Sequence, residues 1–194
     1  MVANLKEPYR HYYTLEEYFA LEKVGDACYE YWDGEIVCMS GGSRQHLMIG
    51  YNIQSTLVRR LDESTCRAFS GEIPIKTPQL PPYRYPDVSV ICGEIKFENI
   101  NGIDTATNPV ILVEVVSPGT ERGDRKEKRL AYQALPSVQE YLLISQDKMH
   151  VVRFSRRGKF WHSQDFDGLN DVVELTSINT QLTLAEIYRA INFE

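Results

Sequence analysis

Pro109-Val110-Ile111-Leu112-Val113-Glu114-Val115-Val116, followed by Ser117-Pro118-Gly119, decides how this chain is read. Every residue from Pro109 to Val116 is apolar except Glu114. A near-continuous apolar run predicts a central strand covered on both faces. Side chains alternate along a strand, so Val110, Leu112, Glu114 and Val116 share one face, and Ile111, Val113 and Val115 the other. Glu114 then stands among apolar neighbours, where a carboxylate is costly unless something compensates it. A core Arg or Lys would do so, and so would a metal.

A second carboxylate lies upstream. Pro86-Asp87 opens another short apolar run, Val88-Ser89-Val90-Ile91. An Asp and a Glu on neighbouring strands supply the oxygen ligands that Mg²⁺ or Mn²⁺ prefer. The pair points toward phosphodiester chemistry.

The flanking sequence supplies the other elements. Thr14-Leu-Glu-Glu17 has the pattern of a capping box and predicts a helix over about 14–23. Asp33-Gly34, between two β-prone runs, predicts a two-residue hairpin pairing Trp32 with Glu35 and Glu30 with Val37. Gly41-Gly42-Ser43 breaks the chain and offers Ser43 as the cap of a helix over about 44–61, with His46, Ile49, Ile53 and Leu57 on one stripe. Strands follow at about 65–70 and 72–77, then a Pro-rich loop, the Asp87 strand, and a polar loop over about 93–108. After Glu114 come a helix over about 121–134 and a strand over about 138–145, an order that implies a parallel crossover. A hairpin turning at Arg157-Gly158 and a second capping box, Thr183-Leu-Ala-Glu186, complete the chain, the last helix reaching about Ile191. One domain over 1–194 is expected, with an N-terminal helix and hairpin at 12–40, a core at 43–145 and a C-terminal hairpin and helix at 148–192.

Composition excludes several classes. The chain has 194 residues, 43% hydrophobic and 25% charged, which suits a soluble globular protein with a real core. No apolar run approaches the roughly 20 residues a membrane helix needs. The N-terminus carries no apolar signal core, so a cytoplasmic protein is expected. Cys28, Cys38, Cys66 and Cys92 form no Cys-x-x-Cys pair, and reduced thiols are expected. Net charge of −6 argues against a protein that grips nucleic acid through its overall field. Two local basic clusters stand out: Arg122, Arg125, Lys126, Lys128 and Arg129, and then Arg153, Arg156, Arg157 and Lys159. Each reads as a solvated face or as a contact surface. Nucleophile-elbow, phosphate-loop, dinucleotide and His-Glu-x-x-His motifs are absent from the sequence.

The landmarks in order are Thr14-Leu-Glu-Glu17, Tyr29-Glu-Tyr-Trp-Asp-Gly-Glu35, His46, Pro86-Asp87, Val113-Glu-Val-Val-Ser-Pro118, Asp124, Lys128, Tyr132 and Glu140-Tyr141. As an ordered set they resemble the PD-(D/E)XK nuclease superfamily, and more closely the restriction-endonuclease-like family expanded in cyanobacteria. The resemblance implies an α/β (α+β) fold. Its restriction-endonuclease-like αβββαβ core is a mixed central sheet flanked by helices, here with an added N-terminal helix and hairpin. It implies that Asp87, Glu114 and the Val115 backbone carbonyl bind Mg or Mn. The metal would polarise a scissile phosphate of DNA and acidify an attacking water. It also implies a homodimer, because restriction-type nucleases pair to cut both strands.

The chain departs from the pattern at one position. The motif Lys should stand two residues after Glu114, and position 116 is Val. The substitute is Lys128 on the following helix, with Asp124 four residues before it and Tyr132 four after. The plain alternative is an exposed Asp124–Lys128 pair worth about 0.2–0.5 kcal/mol. Glu30 either completes the metal shell or binds Lys128. His46 is either a ligand or phosphate contact, or a satisfied core histidine; Tyr132 either bonds a phosphate or packs. Arg122, Arg125, Lys126 and Arg129 would meet DNA at the site edge. Two rivals remain: a non-catalytic nuclease fold that binds nucleic acid or protein, and a phosphoesterase or RNA nuclease sharing the site.

Overall fold

The structure, a computed structural model, describes residues 11–24, 27–39, 42–116 and 124–193, with Asp124 and Arg125 described by backbone alone. The chain divides into two compact units, 1–40 and 41–194.

In the first unit, helix α1 (Leu15–Val24) precedes strands β1 (Tyr29–Trp32) and β2 (Glu35–Cys38). Both halves of the capping box form: Glu17 Oε2 accepts from Thr14 N–H at 2.7 Å, and Thr14 Oγ1 from Glu17 N–H at 3.2 Å. The hairpin has the expected register, Trp32 opposite Glu35 and Glu30 opposite Val37. Asp33 and Gly34 both take positive φ, 45° and 91°, as this tight turn demands. Glu22 Oε1 accepts from Tyr29 N–H at 2.7 Å and Tyr18 OH donates to Tyr29 O at 3.0 Å, which fixes α1 on the hairpin.

The second unit is built on a six-stranded sheet. Its strands are β3 (Cys66–Ser70), β6 (Val88–Cys92), β9 (Pro109–Val116), β10 (Glu140–Ser145), β11 (Val151–Arg157) and β12 (Phe160–Phe166). Across the sheet the order is β12-β11-β10-β9-β6-β3. Among the described residues of this sheet, only β9 and β10 pair in parallel, the mark of the crossover that the sequence order implied. Helix α2 (Arg44–Arg60) covers one face, with Ile49, Ile53 and Leu57 against Val88, Val90, Val113 and Val115. Helix α3 (Arg129–Gln133) covers the other, with Tyr132 against Leu112, Val116 and Tyr141. This is the mixed α+β architecture that the resemblance implied.

The peripheral elements depart from the sequence reading. The supposed loop at 93–108 holds a hairpin, β7 (Phe97–Ile100) and β8 (Ile103–Ala106), which joins β4 (Ile75–Lys76) and β5 (Tyr83–Arg84) in a second sheet. Of the helix expected over 121–134, residues 121–123 lie outside the described residues, and the rest is one π-helical turn at Asp124–Lys128 that runs into the short α3. The β11–β12 turn lies at Gly158-Lys159. A further hairpin, β13 (Val172–Leu175) and β14 (Thr180–Thr183), precedes α4 (Leu184–Ile187), which ends four residues earlier than expected. Cys66 and Cys92 are joined by a disulfide rather than reduced. The β3–β6 register sets them directly opposite one another, a relation that spacing in sequence does not reveal.

Candidate active site

Two adjacent antiparallel strands create the site. β6 pairs Val88 with Val113 of β9, and one more step of that register sets Asp87 opposite Glu114. The Val115 N–H donates to Asp87 Oδ2 at 2.6 Å. A strand residue points its N–H and C=O to the same side, so the Val115 carbonyl also faces the Asp87 edge.

His46 holds the other oxygen of Asp87, Nε2 to Oδ1 at 2.9 Å. Its helix end is anchored in turn. Ser43 caps α2 by accepting from the His46 N–H at 3.1 Å, and its hydroxyl donates to Gln146 Oε1 at 2.9 Å. The Gln146 N–H donates to Val116 O at 3.1 Å. The start of α2 and the ends of β9 and β10 are thereby one bonded assembly around Asp87. Gln146 was not singled out from sequence; its only signal was its place immediately after a strand parallel to β9.

Glu114 lies deeper, 3% exposed. Lys128 Nζ donates to its Oε2 at 3.1 Å, and Tyr132 OH to its Oε1 at 3.0 Å. Lys128 and Tyr132 are equally enclosed, at 2% and 0%. Four residues apart on one side of a helical segment, both reach the same carboxylate. Lys128 is therefore turned inward onto Glu114. Val116, where the motif lysine would stand, is core at 3% exposure.

Asp87 and Glu114 suit a hard divalent cation that keeps most of its waters, as Mg²⁺ does when one or two carboxylates bind it. Asp87 retains acceptor capacity for it: a carboxylate offers about four acceptor positions, and the His46 and Val115 bonds use two. Among the described residues no group of three or more His, Cys, Asp and Glu forms an all-protein cage.

The remaining sequence-predicted residues fall as follows. Glu30 belongs to the first unit, where its Oε2 accepts from Trp32 Nε1 at 3.1 Å. Arg122 and the side chains of Asp124 and Arg125 lie outside the described residues. Lys126 is exposed; Arg129 is half-buried with its guanidinium 5.1 Å from the Phe154 ring centroid. In the second basic cluster Arg156 is occupied by the fold. It donates to the carbonyls of Gln133, Leu135 and Val138 and stacks on Trp161.

Fold and site together define a restriction-endonuclease-like protein of the PD-(D/E)XK type, with Asp87 and Glu114 on neighbouring strands and Lys128 of the following helical segment bonded to Glu114. The chain belongs to the family described as "Uma2: Putative restriction endonuclease", whose model matches residues 15–186. It is 31% identical over 179 residues to the uncharacterized protein slr1290 of Synechocystis, a match covering 92% of each chain. It is 29% identical over 164 residues to a second Synechocystis protein, sll1609, covering 84% of this chain and 92% of that one. A solved structure titled as a putative nuclease belonging to DUF820, from Anabaena variabilis, superposes with a TM-score of 0.68 at 19% identity. It covers 90% of this chain and 97% of that one, which shows the shared fold.

Proposed function

We propose that this chain is a metal-dependent endonuclease that hydrolyses phosphodiester bonds of DNA, with Asp87, Glu114 and the Val115 carbonyl holding Mg²⁺ or Mn²⁺. The observation that carries the reading is the inward turn of Lys128 onto Glu114, on the strand beside Asp87. A bound divalent ion would supply positive charge to the scissile phosphate and a more acidic water.

The protein's own residues have separate tasks. His46 and the Val115 N–H fix the Asp87 carboxylate from two directions. Tyr132 and Lys128 fix Glu114 by donating to its two carboxylate oxygens in an apolar surround. Lys128 holds Glu114, and its positive charge is the one assigned to the phosphate or the attacking water beside that carboxylate. The oxygen of water adds to phosphorus as the bond to the leaving oxygen breaks; the water gives up a proton to solvent, and the leaving oxygen takes one up from solvent. Lys126 and Arg129 are assigned to backbone phosphates, where contacts position DNA without reading its sequence; Arg122 and the Arg125 side chain lie outside the described residues.

Purified protein should cleave plasmid or oligonucleotide DNA in Mg²⁺ or Mn²⁺ and stop when the metal is chelated. Asp87→Asn should lose both cleavage and Mn²⁺ binding. Absence of cleavage on single- and double-stranded DNA and RNA, with Mn²⁺ binding unchanged in Asp87→Asn, would sink the proposal.

One observation favours the non-catalytic reading: Glu114 and Lys128 are enclosed as an ion pair, each side chain 3% exposed. On that reading the protein binds DNA without turnover, and the pair is structural. A binding assay with and without metal separates the two.

A further inference from the structure

Helix α2 has two faces, and the fold buries only one of them. Ile49, Asn52, Ile53, Thr56 and Leu57 face the sheet. On the opposite side lie Leu47, Tyr51 and Val58, which are 61%, 65% and 49% exposed. At about 100° per residue, Arg44, Leu47, Tyr51, Ser55 and Val58 fall within an arc of about 80°, and Asp62 follows the helix's C-cap. Arg44, Asp62 and the adjacent Glu63 are exposed. The stripe thus runs from a cation at one end, through three exposed apolar side chains, to two acids just past the other end.

We propose that this stripe is the contact surface for a second copy of the chain, packed as an antiparallel pair of α2 helices about a two-fold axis. The register follows from the residue positions. Around position 53, Arg44 and Asp62 are equidistant, Leu47 and Val58 nearly so, and Tyr51 matches Ser55. A two-fold axis at that point brings Arg44 of each copy to Asp62 and Glu63 of the other, and Leu47 to Val58. Tyr51 from each copy then covers the centre over Ser55. Such a patch is self-complementary, as an isologous interface requires. A parallel pairing would set Arg44 against Arg44 and acids against acids, which is repulsive. The apolar centre with a charged rim is also the usual anatomy of a protein interface.

The area sets the strength. α2 has 17 residues and is therefore about 25 Å long. One helix face of that length covers less than the roughly 800 Å² per partner of a standard interface. An interface below the standard size belongs with weak, transient contacts, so the test runs to millimolar concentration. The inference is independent of the nuclease reading, because its test is mass rather than cleavage.

Sedimentation of the full chain from micromolar to millimolar concentration should show the average mass rising from one chain toward two. Tyr51→Glu should weaken the association at least tenfold, and Arg44→Asp should weaken it measurably. Arg44→Asp combined with Asp62→Arg should restore it. All three positions are exposed, and both charge changes suit the helix dipole, so circular dichroism should report an intact fold. A chain that stays monomeric at millimolar concentration overturns the proposal. So does a dimer indifferent to Tyr51→Glu, or a charge swap that fails to restore the pairing.

Discussion

Two buried glutamates on neighbouring strands of one sheet have opposite surroundings. Glu114 sits toward the end of β9 and Glu140 at the start of β10, at 3% and 1% exposure. The parallel register pairs Glu140 with Ile111 and Leu143 with Glu114, which separates the two acids by about 10 Å along the strands. Glu140 is satisfied by neutral donors: the N–H groups of Thr176 and Ser177, at 3.3 and 3.2 Å, and the Ser177 hydroxyl at 2.5 Å. It latches the turn at Thr176 and Ser177 to the sheet. Glu114 instead receives a lysine ammonium and a tyrosine hydroxyl, and stands opposite a second, partly buried carboxylate. Burial alone therefore does not mark a functional acid. A cation partner and a second carboxylate at the C-terminal end of the parallel pair distinguish Glu114.

The sharpest way to test that distinction is to disable one acid at a time. Glu114→Gln should lower kcat/KM for DNA cleavage by about 10² to 10⁴, the range for loss of a positioned catalytic group, while the protein stays folded. Steady-state cleavage and a thermal melt on the same sample check this.

Next in size is the ion pair itself. Lys128→Met leaves Glu114 buried and uncompensated, at a cost of about 3–5 kcal/mol by chemical denaturation. Adding Glu114→Gln should recover most of that loss, because the buried charge is gone. Full recovery of stability without recovery of cleavage would separate the structural role of the pair from the chemical one.

A smaller effect is expected at the other acid. Glu140→Ala strands two backbone N–H groups and should cost about 1–3 kcal/mol, while kcat per folded molecule is unchanged. A large activity loss there, in folded protein, would erase the contrast between the two glutamates.

The smallest effect concerns the C-terminal cap. Burial pushes the Glu186 carboxyl up, but hydrogen bonds from the Thr183 N–H and hydroxyl, and the charge and bond of Arg60, outweigh it and leave the group below its ordinary value. A depressed carboxyl adds stability that is complete above the unfolded value, about 4.3, and is lost as pH falls through the folded one. Thr183→Ala should cost about 1 kcal/mol at neutral pH, with the difference from wild type shrinking in acid, as read by urea melts at both pH values.

Much of the core was legible because its signals are local. The β9 run, Pro86-Asp87, the Asp33-Gly34 turn and both capping boxes each lie within a few residues. The hairpin at 97–106 was also readable in principle: Asn101 and Gly102 are an Asn-Gly turn with φ of 51° and 93°. Its strand Phe97–Ile100 is mostly exposed and lacks the apolar alternation that would have drawn attention to it. The Cys66–Cys92 bond and the Glu140 latch depend on register between strands or on segments far apart, which no local pattern encodes. Lys128 was ambiguous for the same reason. Spacing offered Asp124 as its partner, and only the fold, with its π turn ahead of α3, shows that the ammonium turns inward to Glu114.

The most direct measurement is the nicking of supercoiled plasmid DNA in Mn²⁺ by the wild type and by the Glu114→Gln/Lys128→Met double variant, both first shown to be folded. The account predicts nicking by the wild type and none by the variant. Equal nicking by both, or none by either, would contradict it.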